Sequence, residues 1–261
     1  MILDKFSLAG KSGIVTGASR GIGAAFAQGL LEAGGNVIIA DILEDKAVEK
    51  ADELNKIDGG GQKVGKAVGA LVDMRSRESI QALVDKTVEK FGTVDFLFNN
   101  AGTIHRTPTE DFDLDVFEEE LQVNLVGPFA LAQACARVMI AHKHKGKIVN
   151  TSSLIAVQGG RTVPAYAASK GGLTQVTKTM CNDWAQYNIL VNAIGPGWVE
   201  TENTAALRAN KERFDHINTR IPLGRWAKPA DLMGAAVFLA SDASDYVSGH
   251  VLFVDGGWLA F

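Results

Sequence analysis

The chain has 261 residues, of which 46% are hydrophobic and 21% charged, as in an ordinary globular protein. Its net charge of −4, without any basic block, argues against nucleic acid as a partner. Because no apolar run reaches about 18 residues and the N-terminus has no cleavable signal, we expect a soluble cytoplasmic protein without a membrane segment.

In the first half of the chain, short apolar runs alternate with longer helical patterns, which predicts an α/β fold with a doubly wound, mostly parallel sheet and helices on both faces. Gly34 and Gly35 mark the end of the first helix. The predicted strands are Ser12–Thr16 and residues 37–40, 63–72 and 94–98, and the predicted helices are residues 22–32, Glu44–Leu54 and residues 75–91.

The second half begins with a long predicted helix, which Gly127 and Pro128 should bend. The predicted helices cover residues 111–141, 165–186 and 229–239, and the predicted strands cover residues 147–151 and 189–194, with a last strand and turn at 251–257. Residues 202–226 are polar, and we expect them to be irregular.

A glycine-rich turn follows the first strand. Gly17, Gly21 and Gly23 have the spacing G-x-x-x-G-x-G and lead directly into the first helix. Glycines let a phosphate approach the backbone, and a helix N-terminus offers free N–H groups. The spacing differs from the common G-x-G-x-x-G, and a plain turn is the alternative for this motif alone.

Asp41 comes at the end of the second strand, at the edge of the sheet where such folds bind ligands. A carboxylate there accepts hydrogen bonds from both adenosine ribose hydroxyls and repels a 2′-phosphate, which favours NAD over NADP. Arg20 in the glycine loop is the opposing signal, since a base can hold that phosphate. A helix N-cap is the structural alternative for Asp41.

Tyr166 and Lys170 are separated by one helical turn, so their side chains share one face of the predicted helix. A cation beside a phenol lowers its pKa from about 10 towards the pH at which acid–base catalysis works best. Ser153 lies thirteen residues earlier and offers a hydroxyl to the reacting oxygen. Alone, the pair also fits an exposed tyrosine lying over a lysine stem.

These motifs occur in the order found in the short-chain dehydrogenase/reductase family, which the chain resembles from about Leu8 to its C-terminus. The resemblance is carried by Thr16, Gly17, Gly21, Gly23, Asp73, Asn99, Asn100, Ala101, Gly102, Asn124, Ser153, Tyr166, Lys170, Pro196 and Gly197. It implies a single domain over residues 1–261 with a seven-stranded Rossmann sheet and a substrate lid at about residues 200–226. It also implies an oxidoreductase that transfers a hydride between NAD and a secondary alcohol or ketone.

The resemblance also assigns residues to roles. The implied catalytic residues are Asn124, Ser153, Tyr166 and Lys170, with the asparagine carbonyl holding a water that connects to the lysine. The implied cofactor-binding residues are Gly17, Ser19, Arg20, Gly21, Ile22, Gly23, Asp41, Asp73, Met74, Asn100, Ala101, Gly102, Tyr166, Lys170, Pro196, Gly197, Val199 and Thr201. Asp73 would contact the adenine, although a cap of the following helix fits it equally. For Asn124 the alternative is a mid-helix asparagine without a role.

Within the family, residues 158–164, 183–189 and 255–260 are similar to those of the sugar-acid dehydrogenases of hexuronate and gluconate breakdown. That similarity implies 2-dehydro-3-deoxy-D-gluconate, 2-deoxy-D-gluconate or gluconate as the substrate type. The substrate-binding candidates are Ser153, Arg106, Arg161 and Trp198, since a guanidinium binds both oxygens of a carboxylate. Arg208 or Arg225 could join from the lid.

Other functions stay open at this point. A 3-oxoacyl carrier-protein reductase would use NADPH and a basic docking patch, against which Asp41 and the acidic charge argue. A non-catalytic cofactor sensor would usually lack Tyr166 or Lys170. No metal site is predicted, because His142 and His144 stand two residues apart and do not face one another on a helix.

The resemblance also implies a homotetramer formed through the helices that carry Asn124 and Tyr166. The apolar ending at residues 258–261 fits burial against a partner subunit. Cys135 and Cys181 lie in separate apolar segments and predict reduced thiols rather than a disulfide.

Overall fold

A computed structural model describes residues 1–61 and 63–260 of the chain. Phe261, the last residue of the predicted apolar ending, lies outside the described residues. At the centre is a seven-stranded sheet in the order β3-β2-β1-β4-β5-β6-β7, and every strand pairing in it is parallel. The strands are β1 Ser12–Thr16, β2 Asn36–Asp41, β3 Ala67–Leu71, β4 Phe96–Asn99, β5 Gly146–Thr151, β6 Ile189–Pro196 and β7 Val251–Val254. The predicted doubly wound sheet is confirmed.

Helices cover both faces of the sheet. The helices are α1 Gly21–Glu32, α2 Glu44–Leu54, α3 Arg77–Phe91, α4 Leu114–Leu121, α5 Gly127–His142, α6 Ile155–Gln158, α7 Pro164–Trp184, α8 Ala205–Ala209, α9 Lys211–Thr219 and α10 Met233–Ala240. Alternate strand residues enter two cores: Val37 and Ile39 pack beneath α1, α2 and α10, whereas Ile38 packs beneath α3, α5 and α7. Burial on both faces explains why these strands are continuously apolar.

The long helix in the middle of the chain is interrupted where Asn124 stands. A π-helical turn, Gln122–Val126, joins α4 to α5, so regular α-helical geometry is interrupted five residues before Gly127, where the bend was predicted. The helix begins at Leu114, where the Asp113 carboxylate caps it by accepting two backbone hydrogen bonds. Residues 114–142 are long and apolar enough to cross a membrane, but half of their most apolar stretch is buried inside the protein, as in a core helix.

The segment 202–226 was predicted to be irregular, but it contains two helices, α8 and α9. Asn210 caps α9 through its side chain, and Phe214 stacks on Trp226 with ring centroids 5.6 Å apart. Leu207 of α8 and Phe214 and Ile217 of α9 pack into one apolar cluster with Trp226 and Trp258, which holds both helices in place.

The apolar C-terminal ending was predicted to be buried against a partner subunit, but Trp258 is already buried within its own chain. It is 4% exposed within its own chain, and its indole N–H donates to Gln158 at 2.9 Å. The Arg220 guanidinium lies 4.1 Å from its ring centroid. Trp258 therefore packs against the segment 202–226, whereas Leu259 and Ala260 after it are exposed.

Candidate active site

A cleft of about 1600 Å³ opens over the carboxyl ends of β1, β2, β4, β5 and β6. Ligands bind at this edge in doubly wound sheets, beside the point where the strand order reverses between β1 and β4. Most residues named from the sequence line it: Gly17, Arg20, Gly21, Ile22, Asp41, Asp73, Met74, Asn100, Ala101, Gly102, Arg106, Ser153, Arg161, Tyr166, Lys170, Pro196, Gly197, Trp198, Val199 and Thr201. Ser19, Gly23 and Asn124 stand behind its wall.

Glycine is required at two positions of the glycine loop, because neighbouring backbone atoms leave no room for a side chain. Gly17 has a φ of 60°, and a Cβ on it would lie 2.8 Å from Cα of Ala101. A Cβ on Gly23 would lie 2.2 Å from the carbonyl oxygen of Gly17, so this glycine permits the close packing of α1 against the loop. Asn100 ties the loop down by donating to the carbonyls of Thr16 and Gly17 at 3.0 and 3.1 Å.

Asp41 organises the neighbouring corner. Its Oδ2 accepts from the hydroxyl of Ser19 at 2.7 Å and from the backbone N–H of Ser19 at 3.2 Å. Its Oδ1 accepts from the backbone N–H of Leu43 at 3.1 Å, just before α2. Ser19, predicted as a cofactor-binding residue, therefore acts here as a support for Asp41.

Asp73 lines the cleft but is held by a neighbour. Arg75 donates to both of its carboxylate oxygens and also to Glu119 at 2.9 Å. The Arg75 guanidinium lowers the pKa of the Asp73 carboxyl through hydrogen bonding. The structural alternative for Asp73 is excluded, because the cap of α3 is Ser76, whose hydroxyl accepts from Ser79.

Tyr166 and Lys170 lie on the first turns of α7, as predicted. The Lys170 Nζ donates to the carbonyl of Thr151 at 2.7 Å and lies 5.5 Å from the centroid of the Tyr166 ring. β5 ends at Thr151 and leads to Ser153, which lines the same cleft as Tyr166 and Lys170. The structure thus brings all three side chains together.

The pKa of Tyr166 is raised, not lowered as the sequence analysis expected. Burial is the largest cause; the Ser153 hydrogen bond and the Arg106 charge act in the opposite direction, and the Glu120 charge adds to the rise. Burial also lowers the pKa of Lys170 from 10.5 to about 8. The Lys170 amine therefore loses its charge at a lower pH than an exposed lysine does, because burial removes water from both Lys170 and Tyr166.

Asn124 is fully buried in the π-helical turn. Its amide group exchanges hydrogen bonds with the backbone of Thr103, donating at 2.8 Å and accepting at 2.9 Å, and it also reaches Ser169. Pro128, four residues later, has no N–H to give to the carbonyl of Asn124. That carbonyl lacks its ordinary helical donor, which suits the predicted role of holding a water.

Several cationic side chains also line the cleft or lie near it. Arg106 and Arg208 donate to backbone carbonyls at its rim, those of Asn203 and Thr201. Arg225 instead pairs with Asp231 outside the cleft. The sequence analysis missed Arg213, His216 and Arg220, which line the cleft from α9 and the residue after it. Their spacing of three and four residues was a helical signal that could have identified them.

Two further residues of the site were assigned no role from the sequence. His105 lines the cleft just after β4, and the buried carboxylate of Glu120 accepts its backbone N–H at 3.0 Å. No motif marks either residue, because Glu120 ends a run of three glutamates that is typical of a solvated helix face.

Comparisons with known proteins agree with this architecture. A family model described as enoyl-(acyl carrier protein) reductase matches residues 17–259. The chain is 44% identical to 2-dehydro-3-deoxy-D-gluconate 5-dehydrogenase of Escherichia coli K12, over 100% of both chains. It is also 41% identical to the solved gluconate 5-dehydrogenase of Burkholderia cenocepacia J2315, with 100% of both chains covered and a TM-score of 0.92.

The chain belongs to the short-chain dehydrogenase/reductase family.

As a short-chain dehydrogenase/reductase, the protein is an oxidoreductase acting on CH–OH groups, which confirms the predicted family and enzyme class. The Burkholderia relative was solved in complex with NADP and tartrate. Another relative, 5-keto-D-gluconate 5-reductase of E. coli K12, is 40% identical over 98% of both chains. In this short-chain dehydrogenase/reductase, Gly17 and Gly21 line the cleft without side chains at the N-terminus of α1, so a dinucleotide phosphate can approach the backbone there.

Proposed function

We propose that the protein oxidises a secondary alcohol of a sugar acid of the 2-dehydro-3-deoxy-D-gluconate, 2-deoxy-D-gluconate or gluconate type, with NAD as the acceptor, and reduces the corresponding ketone in reverse. The observation that carries the proposal is the set of arginines that line the same cleft as Ser153 and Tyr166. The activities for which these relatives are named support the same substrate class.

The cation set supports recognition of a carboxylate. Arg106 and Arg161 line the cleft on the side of the sheet, and Arg213 and Arg220 line it from the segment 202–226. A planar guanidinium binds both oxygens of a carboxylate at once, which fixes orientation as well as charge. An acyl thioester has no such group at its reacting end, so this feature favours a sugar acid over a 3-oxoacyl substrate.

The residues that would hold the dinucleotide are those of the glycine loop, Asp41 and the loop after β6. When bound, the nicotinamide supplies the hydride acceptor or donor. The Asp41 charge supports NAD because it would repel a 2′-phosphate. The Arg20 guanidinium, which could hold that phosphate, forms an ion pair with Glu202, and this pairing also favours NAD.

The chain's own residues would handle the proton. In reduction, the raised pKa of Tyr166 keeps its phenol protonated at neutral pH, ready to donate to the carbonyl oxygen. In oxidation the phenol must first lose its proton, and the Ser153 hydrogen bond and Lys170 favour that form. The carbonyl of Asn124 would hold a water that connects Lys170 to solvent.

A substrate panel tests the proposal. We expect NADH formation with D-gluconate, 2-deoxy-D-gluconate or 2-dehydro-3-deoxy-D-gluconate, and none with acetoacetyl-CoA in the reductive direction. Tyr166→Phe should lower kcat by at least about a hundredfold because it removes the proton donor. Tyr187→Phe, an exposed tyrosine, is the matched control. Turnover of acetoacetyl-CoA alone, or normal kcat in Tyr166→Phe, would refute the proposal.

We also propose that the enzyme is a cytoplasmic homotetramer in which residues 200–226 close over the substrate. The partly exposed apolar side chains of Val126 and Phe129, at the start of α5, support contact between subunits through that helix. Light scattering at micromolar concentration should give four times the 27.8 kDa mass of the chain. A monomeric mass would contradict the tetramer without affecting the proposed reaction.

A further inference from the structure

His105 and Glu120 form a polar pair at the substrate end of the cleft that the proposed reaction does not use. The His105 side chain is 45% exposed, whereas that of Glu120, on α4, has no exposed surface. One carboxylate oxygen, Oε2, accepts the backbone N–H of His105 at 3.0 Å and lies 3.1 Å from Nδ1 of its ring. The carboxylate therefore fixes both the backbone and the ring of the histidine.

This contact determines which tautomer the ring adopts. An ionised carboxylate accepts hydrogen bonds and donates none, so Nδ1 of His105 carries the hydrogen. Nε2 is then the nitrogen with the lone pair, and it is the one left for a ligand in the cleft. In a neutral imidazole that nitrogen accepts a hydrogen bond from a hydroxyl group.

A structural role alone does not explain Glu120, because its buried carboxylate lowers the stability of the fold. Its second oxygen, Oε1, is buried and has no hydrogen-bond partner among the described residues. A buried carboxylate with half of its accepting capacity unused destabilises a fold, and an apolar side chain would fill the same space at lower cost. The charge of Glu120 also acts on Tyr166 and Lys170, which connects it to the reacting groups.

We propose that Glu120 is a positioning residue that holds His105 as the Nδ1–H tautomer, so that Nε2 accepts a hydrogen bond from a hydroxyl group of the substrate. The polyhydroxy nature of that substrate rests on the proposed function. The pair then discriminates between substrates by a hydroxyl, whereas the arginines recognise the carboxylate.

The first arm of the test needs no turnover. In ¹⁵N-labelled enzyme saturated with NADH, nitrogen shifts of His105, assigned with His105→Ala, should report the Nδ1–H form. Added D-gluconate should move the Nε2 signal. Glu120→Leu should convert the ring to a mixture of tautomers, and Glu120→Gln, which keeps an acceptor, should restore the wild-type signal. An Nε2–H form in wild type, or an Nε2 signal that ignores D-gluconate, would overturn the proposal.

The second arm is kinetic. In Glu120→Leu and His105→Ala, KM for D-gluconate should rise about tenfold, the effect of one lost hydrogen bond. In His105→Ala, which keeps the Glu120 charge beside Tyr166 and Lys170, kcat should change less than about twofold. Glu120→Gln should retain most of the wild-type KM, and Glu118→Leu, an exposed neighbour on α4, is the matched control. Unchanged KM in His105→Ala would sink the idea even if Glu120→Leu fails to fold. Wild type that turns over no sugar acid would refute the proposed function, while the nitrogen shifts would still decide the tautomer.

Discussion

Lys170 is an amine with only 3% of its surface exposed, and burial lowers its pKa from 10.5 to about 8. Below pH 8 the folded and unfolded chains both carry this proton. Between pH 8 and 10.5 the folded chain has lost it while the unfolded chain retains it, so this residue makes stability rise with pH.

We therefore expect the unfolding free energy of wild type, relative to Lys170→Met, to increase by roughly 3 kcal/mol between pH 7.5 and 10.5. Urea titrations at several pH values measure the difference. Lys178→Met changes an exposed lysine of the same helix and should show the wild-type pH dependence. A constant difference between wild type and Lys170→Met would mean that the amine is not dehydrated.

Asp41 permits a test of charge without loss of its contacts. Its carboxylate accepts from Ser19 and Leu43, and an amide oxygen at the same position can accept some of these hydrogen bonds. In Asp41→Asn we expect the preference for NAD over NADP, as a ratio of kcat/KM values, to fall at least about tenfold because the repulsive charge is gone. Asp45→Asn, an exposed aspartate of α2, should leave the ratio unchanged.

Local sequence spacing was enough to identify Tyr166, Lys170 and Asp41, since each depends on one strand end or one helical turn. It could not reveal the pKa of Tyr166, which depends on burial and on the distant charges of Glu120 and Arg106. The pairing of His105 with Glu120 was equally invisible, because it depends on a tertiary contact between α4 and the loop that follows β4.

At the scale of elements, the sequence predicted β1 and α2 with the bounds that the structure has, because both have clear periodicity and clear ends. β3 is shorter than predicted, since only Ala67–Leu71 pairs with β2. The π-helical turn follows from a shift of backbone hydrogen bonds, which side-chain composition does not encode. The helices of segment 202–226 were not predicted, because the many charged residues of the segment obscure its apolar pattern.

Gly23 tests how α1 and the glycine loop depend on one another. A methyl group would meet the carbonyl oxygen of Gly17 at 2.2 Å, so the loop or the helix must move. For Gly23→Ala we expect about 1–3 kcal/mol lower stability and at least about tenfold weaker NAD binding. Urea unfolding and a fluorescence titration with NADH measure the two effects.

Gly234→Ala is the matched control in another helix, α10. Among the described residues, none outside the helix itself has an atom within 4 Å of a Cβ at that position. This variant should bind NADH normally and gain about 0.5–1 kcal/mol of stability from helix propensity. If Gly23→Ala behaves in the same way, the contact between α1 and the glycine loop does not limit the shape of the loop.

At the scale of the whole molecule, the sign of the charge in the cleft is opposite to the sign of the net charge of the chain. The chain carries a net charge of −4, yet the Arg and Lys side chains that line its cleft, among them Arg106, Arg161, Arg208, Arg213 and Arg220, outnumber the Asp and Glu side chains there. Clefts concentrate the field of the charges that line them, so an anionic substrate is attracted to a protein whose net charge repels it. Salt screens such an attraction, with a screening length of about 10 Å at 0.1 M.

With NAD saturating, we therefore expect kcat/KM for D-gluconate to fall about threefold to tenfold as NaCl rises from about 10 to 200 mM. Arg213→Gln should flatten this dependence, because it removes one cation that lines the cleft. Arg137→Gln changes an exposed arginine of α5, outside the cleft, and should keep the wild-type salt slope. Equal slopes in wild type and Arg213→Gln would show that the cation set does not attract the substrate, and recognition of the carboxylate would then have to depend on short-range contacts alone.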